Sequence, residues 1–293
     1  MRRILRFLFP LALIGAAAFW WITRPHPMTG ADFTGLTGDA ARGQVVFTAA
    51  GCASCHMAEG ATGEAQLVLS GGQTFPSPFG TFVAPNISTD PVHGIGGWTL
   101  PQLASAVMRG VTPGGQHLYP ALPYASYDRM TRADMADLYA YVTTLPASAE
   151  PSPPHQVAFP FSWRRLLGGW KFLFLRDAWV LADAPTPELQ RGRYIVEALA
   201  HCGECHTPRN ALGAMDRGRW LSGVPGRGGA PNITPARLDW SEDEIIEYLT
   251  SGMTPDYDSV GGHMAHVVDN MSKLPESDRR AVAAYLKAIP AVE

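Results

Sequence analysis

The sequence has few cysteines, few charged residues and no long run of basic residues. Only four of its 293 residues are cysteine and only 17% are charged, with a formal net charge of −3. The 23 basic residues form no long run, so the sequence gives no indication of a nucleic-acid-binding surface. With 46% hydrophobic residues, the chain is typical of a folded protein of about two domains.

An apolar segment near the N-terminus indicates export. Residues 7 to 22, FLFPLALIGAAAFWWI, carry no charge and follow three arginines. The segment is slightly short of the ~20 residues of a spanning helix, and Ala16 to Ala18 would suit a signal-peptide cleavage site. However, Trp20 and Trp21 stand where aromatic residues mark a membrane interface. We therefore expect residues 1–25 to be a retained anchor in the bacterial cytoplasmic membrane, with the rest of the chain in the periplasm.

All four cysteines fall into two C-x-x-C-H motifs, GCASCH at residues 51 to 56 and HCGECH at residues 201 to 206. This motif attaches c-type haem: the cysteines add to the two vinyl groups, and the histidine binds the iron. Disulfides or zinc are the alternatives, but a disulfide has no use for the histidine and zinc would need its ligands shared differently. The sequence therefore predicts two covalently bound haem c groups. The predicted attachment residues are Cys52, Cys55, Cys202 and Cys205, and the predicted iron ligands are His56 and His206.

The similarity between the two copies extends well beyond the motifs. VAPNIS at residues 83 to 88 matches GAPNIT at 229 to 234, and GWTLPQLASAVMRGVTP matches DWSEDEIIEYLTSGMTP. We therefore expect two copies of one helical unit, residues 35–148 and 186–293. Residues 149–185 link them, beginning with the proline-rich PSPPHQVAFPF. The next part, WRRLLGGWKFLFLRDAWVL, is too charged to span a membrane, and either lies on a membrane surface or packs between the domains.

Helix signals and small residues indicate how each unit folds. Ser241-Glu242-Asp243-Glu244 is a capping box, and Thr99 and Thr131 are candidate N-caps. The first helix of each unit carries a glycine and the last a tyrosine, so the two helices can approach closely. These pairs are Gly43 with Tyr141 and Gly192 with Tyr285.

This helix crossing and the haem motif together resemble the class I cytochrome c fold, in which the first and last helices cross beside the haem. The predicted fold class is all-α: two tandem class I cytochrome c-like domains with an N-terminal membrane anchor helix.

Several longer segments resemble a particular family. RGRYIVEALAHCGECHTPRNALGA, GAPNITP, HLYPALPY and FPFSWRRLLGGW are similar to the membrane-associated cytochrome c subunits of bacterial alcohol, aldehyde and gluconate dehydrogenases. The resemblance covers nearly the whole chain after residue 38. It implies that a periplasmic dehydrogenase subunit donates electrons, and that a small cytochrome, a quinone-linked complex or a terminal oxidase accepts them for the respiratory chain. Those subunits commonly carry three C-x-x-C-H motifs and this chain carries two, so the resemblance identifies neither the partner nor a quinone contact.

The second axial ligand of the second haem is predicted to be Met264. It lies 24 residues after Trp240 and ahead of the last helix, where a class I cytochrome supplies its thioether. Met271 is the fallback, although its position also suits packing under the last helix. His263 and His266 flank Met264 and are the remaining alternatives.

In the first unit, the same count from Trp98 reaches Leu122, which cannot bind iron. The first candidate is then Met130, eight residues further on, although it equally suits a packing role ahead of the last helix. Met108 and His117 are weaker candidates, and an open iron is the remaining possibility.

Two paired positions are candidates for contacts with the haem propionates, by analogy with the tryptophan of class I cytochromes. They are Asn86 and Asn232 in the APNI segments, and Trp98 and Trp240 ahead of the next helix. Fixing the loops and packing in the core are the alternative roles of these residues.

Two functions remain open at this point. The first is an electron carrier whose irons are both six-coordinate. The second is a dihaem oxidoreductase whose first haem is open because of Leu122, acting on peroxide or a small sulfur compound. We favour the carrier because neither unit shows an acid-base pair beside its haem. The nearby titratable residues, Glu59, Glu64, Asp90 and His93, lie in loops where side chains are usually solvated.

Overall fold

The computed structural model describes residues 2–226 and 229–293, with side chains from Leu8 onward. These residues form mainly short α-helices joined by long loops. In the first half of the chain, the α-helices are α1 (Arg2–Ile22), α2 (Ala40–Ala49), α3 (Cys52–His56), α4 (Leu100–Arg109), α5 (Tyr124–Tyr127) and α6 (Arg132–Val142). They continue with α7 (Leu166–Phe174), α8 (Pro187–Tyr194), α9 (Gly203–His206), α10 (Glu242–Ser251), α11 (His263–Ser272) and α12 (Glu276–Ala288). A π-helix, Ile195–Leu199, extends α8, and 3₁₀ turns occupy Gly30–Phe33, Gly63–Leu67 and Arg217–Arg219.

The described residues are mostly helical, as expected, but the first unit also contains a β-hairpin that was not predicted. Strand β1 (Thr74–Ser77) pairs antiparallel with β2 (Gly80–Val83), and Thr74 lies opposite Val83. The segment TFPSPFGTFV is rich in aromatic and β-branched residues, which favour strands. Gly80 has a φ of 129°, a value that glycine adopts readily, and it allows the chain to turn into β2.

The first and last helices of each unit cross at a glycine, as predicted. In the first unit α2 crosses α6, and a Cβ on Gly43 would lie 1.9 Å from the carbonyl oxygen of Asp137. In the second unit α8 crosses α12, where a Cβ on Gly192 would lie 2.0 Å from the carbonyl oxygen of Ala281. Only a residue without a side chain fits at either crossing.

An ion pair between an arginine and a buried aspartate accompanies each crossing and was not predicted from the sequence. The guanidinium group of Arg42 on α2 donates two hydrogen bonds to Asp137 on α6, with Nε at 2.7 Å and Nη2 at 2.9 Å. Arg191 on α8 bonds Asp278 on α12 in the same way, at 2.8 and 2.7 Å. In both units the arginine directly precedes the glycine of the crossing, so packing and charge pairing act on the same turn.

The predicted N-caps are confirmed. Thr131 accepts a hydrogen bond from the Asp134 amide at 3.0 Å, and Thr99 caps α4. The capping box ahead of α10 is formed by Ser241 and Glu244. These contacts satisfy amides that the first helical turn leaves without partners.

The segment between the units is bound to both of them. Thr81 in β2 forms a β-bridge with Gln156, and the ring of His155 accepts the amide of Val83 at 3.0 Å. Further along, the indole of Trp170 on α7 donates to the carbonyl oxygen of Leu212 in the second unit at 2.9 Å. The proline-rich segment is therefore attached along the first unit, and α7 connects this unit with the second.

The apolar side chains of helix α1 are exposed. The exposed fraction is 67% for Phe9, 66% for Ile14 and 64% for Trp21. The arginines that flank the apolar segment, Arg2, Arg3 and Arg6, have side chains outside the described ones. Within the described part of the chain, none of the helices reaches the length and hydrophobicity that crossing a bilayer requires.

Candidate haem sites

Each C-x-x-C-H motif folds into a single helical turn that starts from an unusual backbone conformation. Gly51, just before α3, has a φ of 63°. His201 holds the equivalent position in the second unit with a φ of 43°, and its ring lies 3.0 Å from the carbonyl oxygen of Leu199. A residue with a side chain is strained in this region by roughly 1–3 kcal/mol, so the surrounding structure must hold His201 in place.

Both motif histidines are oriented by the same contact. The Nδ1 atom of His56 lies 2.8 Å from the carbonyl oxygen of Pro85, and that of His206 lies 2.8 Å from the carbonyl oxygen of Pro231. A carbonyl oxygen can only accept, so Nδ1 carries the proton and Nε2 is left as a free electron-pair donor. This is how a backbone carbonyl holds a histidine that binds a metal.

Burial reinforces this arrangement. It lowers the pKa of both His56 and His206, so each imidazole favours the neutral form that an iron ligand needs. The shared loop geometry is fixed by a second pair of bonds. The amide of Gly71 donates to the carbonyl oxygen of His56 at 2.7 Å, and that of Gly223 donates to His206 at 2.8 Å.

The four cysteines are free thiols in the structure, so neither unit contains a disulfide between its motif cysteines. Burial raises the pKa of Cys52 and of Cys202 to about 12, which keeps these thiols protonated. Among the described residues, no three His, Cys, Asp or Glu side chains converge as a metal cluster would require. The donor set in each unit, two free thiols and one oriented imidazole, fits haem c.

The paired asparagines bind backbone rather than facing outward. The amide nitrogen of Asn86 donates to the carbonyl oxygens of Ser148 and Glu150, at 2.8 and 2.7 Å. In the second unit, the amide nitrogen of Asn232 donates to the carbonyl oxygen of Val292 at 2.7 Å. Both asparagines therefore fix loops, and their predicted propionate contacts stay predictions.

The paired tryptophans lie half-buried against the core. The carbonyl oxygen of Trp98 accepts the hydroxyl of Tyr139 at 3.0 Å, and the ring of Trp240 packs edge-on against Tyr248 with ring centres 5.2 Å apart. Their predicted propionate contacts stay predictions.

The candidate methionines differ in how deeply they are buried. Met264 is the second residue of α11 and is half-buried, whereas Met271 at the other end of α11 is 2% exposed. Met130 is also 2% exposed and precedes the N-cap of α6. Met264 and Met130 stay predictions as iron ligands.

Two weaker candidates in the first unit are engaged elsewhere. The sulfur of Met108 accepts the guanidinium of Arg132 at 3.8 Å. His117 is buried, with Nε2 2.9 Å from the carbonyl oxygen of Thr23 and Nδ1 3.1 Å from Nζ of Lys171. Both nitrogens of His117 are occupied by contacts that fix α7 and the end of α1, so neither is left for iron.

The loop residues considered for acid-base catalysis have modest roles. Glu59, Glu64 and His93 are exposed, and Asp90 accepts the amides of Val92 and His93 at 2.9 and 2.6 Å. Those hydrogen bonds lower the pKa of Asp90 and make it a turn residue.

A buried carboxylate in the second unit was not predicted from the sequence. Glu197, 1% exposed on the π-helix, accepts the amides of Val180 and Leu181 and the hydroxyl of Tyr285, which in turn accepts the indole of Trp220. The available signal was a lone carboxylate in the apolar stretch IVEALA. Glu197 thus ties the linker to the second unit.

The two motifs lie close together across the contact between the units. The side chain of Asn270 on α11 donates to the hydroxyl of Ser54, inside the first motif, at 2.9 Å. Burial raises the pKa of Cys55, and the nearby Cys205 of the other motif raises it further. The ring of Tyr127 lies 5.4 Å from that of His201, the residue before the second motif. The attachment edges of both haem sites therefore meet at this contact.

Two helical units of this kind, each with an oriented histidine and two free thiols, define a dihaem c-type cytochrome. A family described as cytochrome c matches residues 40–146, and one described as cytochrome c oxidase, cbb3-type, subunit III matches residues 187–286. A dihaem cytochrome c-type protein of Cereibacter sphaeroides is 56% identical over 296 residues, with both chains covered in full. The chain belongs to this dihaem cytochrome c family, and two haem c groups are the cofactors that membership implies.

Cytochrome subunits of dehydrogenases are also similar to this chain. The fructose dehydrogenase cytochrome subunit of Gluconobacter japonicus is 40% identical, over 85% of this chain and 52% of its own length. The gluconate 2-dehydrogenase cytochrome c subunit of Pantoea cypripedii is 35% identical, over 85% of this chain and 59% of its own length. The chain spans little more than half the length of these two relatives.

Proposed function

We propose that this protein relays single electrons from a periplasmic dehydrogenase to the respiratory chain, with α1 as its anchor in the cytoplasmic membrane. The observation that carries the proposal is the contact that brings the two C-x-x-C-H motifs together. Haem c supplies an iron that exchanges one electron with little rearrangement. The similarity to dehydrogenase cytochrome subunits supports a dehydrogenase as the donor.

The protein supplies a fixed geometry for this exchange. The carbonyl oxygens of Pro85 and Pro231 fix the orientation of the two imidazoles that would bind iron. The bond between Asn270 and Ser54 holds the second unit against the first motif. A relay needs both features, because its sites must stay close without moving.

The relay is tested in membranes of a host that produces the protein together with its dehydrogenases. Alcohols, aldehydes and sugars are added in turn, and haem reduction and oxygen uptake are recorded. We expect one substrate class to reduce both haems, and its oxygen uptake to stop when the chain is deleted and return when it is restored. Unchanged oxygen uptake with every substrate class after deletion would contradict the proposal.

The axial ligands are tested by spectroscopy of the full-length haem-loaded protein. We expect two low-spin haems whose reduced forms ignore carbon monoxide. Met264→Ala should make one haem high-spin and able to bind carbon monoxide, and Met130→Ala should do the same to the other. Met253→Ala is the matched control, because this methionine is 41% exposed in the second unit. An unchanged spectrum in Met264→Ala would show that another residue binds the iron.

One observation favours a second candidate function. Leu122 stands at the position where the second unit supplies Met264, and it is half-buried against the core. If the unaltered protein binds carbon monoxide at one haem, that haem is open and the protein is better described as a dihaem oxidoreductase. Peroxide and small sulfur compounds are then the substrates to assay.

A further inference from the structure

The linker between the haem units exposes an unusual number of large apolar side chains. We call residues 159 to 176 the collar; it comprises α7 and the residues beside it. Its most exposed apolar side chains, with their exposed fractions, are Phe159 (80%), Phe172 (65%), Leu173 (51%), Trp163 (49%) and Phe161 (44%). A cluster of this kind on a soluble surface marks an interaction site.

The opposite face of the collar is fixed, so the apolar face cannot turn inward. A Cβ on Gly168 would lie 2.5 Å from the carbonyl oxygen of Thr23, so α7 sits directly against the end of α1. The ammonium group of Lys171 donates to the carbonyl oxygens of Arg109 and Gly110, at 2.6 and 2.7 Å. These contacts hold Phe172 and Leu173 on the outer side.

The collar continues the apolar surface of α1. The ring of Trp163 lies 5.7 Å from that of Phe19 near the end of α1. The guanidinium group of Arg165 lies 4.1 Å from the ring centre of Trp20 and donates to the Thr23 hydroxyl at 2.8 Å. The two surfaces therefore meet where the tryptophans of α1 lie.

The charge of the collar suits a negatively charged surface. Besides Lys171, which is bound on the inner side, it contains three basic residues, Arg164, Arg165 and Arg176, and no carboxylate, although the whole chain has a net charge of −3. Aromatic residues together with arginine and lysine are typical of segments at the headgroup level of a bilayer. Basic residues near a membrane are attracted to anionic lipids.

We propose that the collar, with Trp20 and Trp21, rests in the headgroup region of an anionic lipid bilayer and sets the orientation of the first haem unit above the membrane. The inference rests on the proposed membrane anchor α1, and it adds a second, lateral contact at the foot of that helix. Because Lys171 binds the collar to the first unit through the carbonyl oxygens of Arg109 and Gly110, the haem unit and the bilayer keep one relative orientation.

The test uses the full-length haem-loaded protein in vesicles of phosphatidylcholine and phosphatidylglycerol. A photo-crosslinking phenylalanine analogue replaces Phe172 in one variant. In two control variants it replaces Val92 and Tyr257, which are 78% and 88% exposed in the haem units. We expect lipid adducts at position 172 and at neither control position, with fewer adducts when phosphatidylglycerol is omitted. Every variant is also checked for flotation with the vesicles after an alkaline carbonate wash.

The outcomes separate this inference from the proposed anchor. If the protein floats with the vesicles but forms no lipid adducts at position 172, α1 stays the anchor and the proposed lipid contact of the collar is wrong. Adducts at position 172 to a co-purified protein chain in native membranes, with none to lipid, would likewise overturn it in favour of a subunit interface. Loss of flotation would count against the anchor itself, and the collar proposal would fall with it.

Discussion

The crossing of α8 and α12 gives the sharpest prediction about stability. In Gly192→Ala, the new Cβ would lie 2.0 Å from the carbonyl oxygen of Ala281 and 2.9 Å from the Cβ of Tyr285. Both neighbours belong to, or lie next to, the backbone of α12, so no side chain can move aside. The two helices must separate, and the overpacking cost is at the upper end of the usual range, about 3 kcal/mol.

Helix propensity acts in the opposite direction. Alanine is better than glycine inside a helix by about 1 kcal/mol, so the net loss in the free energy of unfolding is about 2 kcal/mol. For a domain of this size, that loss lowers the melting temperature by about 8–16 °C.

The measurement is thermal unfolding of the haem-loaded protein, followed by far-UV circular dichroism and by haem absorption. Gly30→Ala is the matched control, because nothing lies within 4 Å of a Cβ at that position. Gly43→Ala tests the first unit, where the corresponding distance to the carbonyl oxygen of Asp137 is 1.9 Å. If Gly192→Ala and Gly30→Ala melt at the same temperature, close helix contact does not explain the glycine.

Three further predictions follow from buried polar groups. Hydrogen bonds from Arg42 lower the pKa of Asp137. The stability contributed by the ionised Asp137 is therefore lost as pH falls below about 4. Asp137→Asn should flatten the dependence of the melting temperature on pH in this acid range. Burial lowers the pKa of Lys171 to about 7. Between about pH 7 and about pH 10 the unfolded chain binds a proton at Lys171 that the folded chain does not, so stability should rise with pH. Lys171→Met should remove that rise. Tyr194 bonds Asp134 and the amide of Thr131 across the units, so Tyr194→Phe should speed limited proteolysis of the linker, unlike Tyr257→Phe at an exposed position.

Local signals in the sequence predicted a large part of the fold. The caps at Thr131 and Ser241 located helix starts, and the glycines located the crossings. These features depend on residues close in sequence or on a pattern that occurs twice. The hairpin at residues 74 to 83 was missed because its strands are short and lie in a proline-containing loop.

The candidate sites were predictable only in part. The C-x-x-C-H motifs identify the thiols and the imidazoles because their spacing is set by the chemistry of haem attachment. The carbonyl oxygens of Pro85 and Pro231 were not identifiable, since a backbone acceptor has no residue type to recognise. His117 looked like a loop histidine, and only the docking of α7 shows that both its nitrogens are engaged.

The bonds formed by Asn86 and Asn232 have a consequence for the order of assembly. Each asparagine follows the proline whose carbonyl oxygen orients the haem-binding histidine, and each binds backbone beyond the last helix of its unit. Asn232 and its partner Val292 are 60 residues apart in sequence. The imidazole of His206 therefore reaches its final orientation when the segment past α12 packs against Asn232. Until then, the histidine and thiols of the second motif stay accessible, which suits an enzyme that must attach haem before the domain closes.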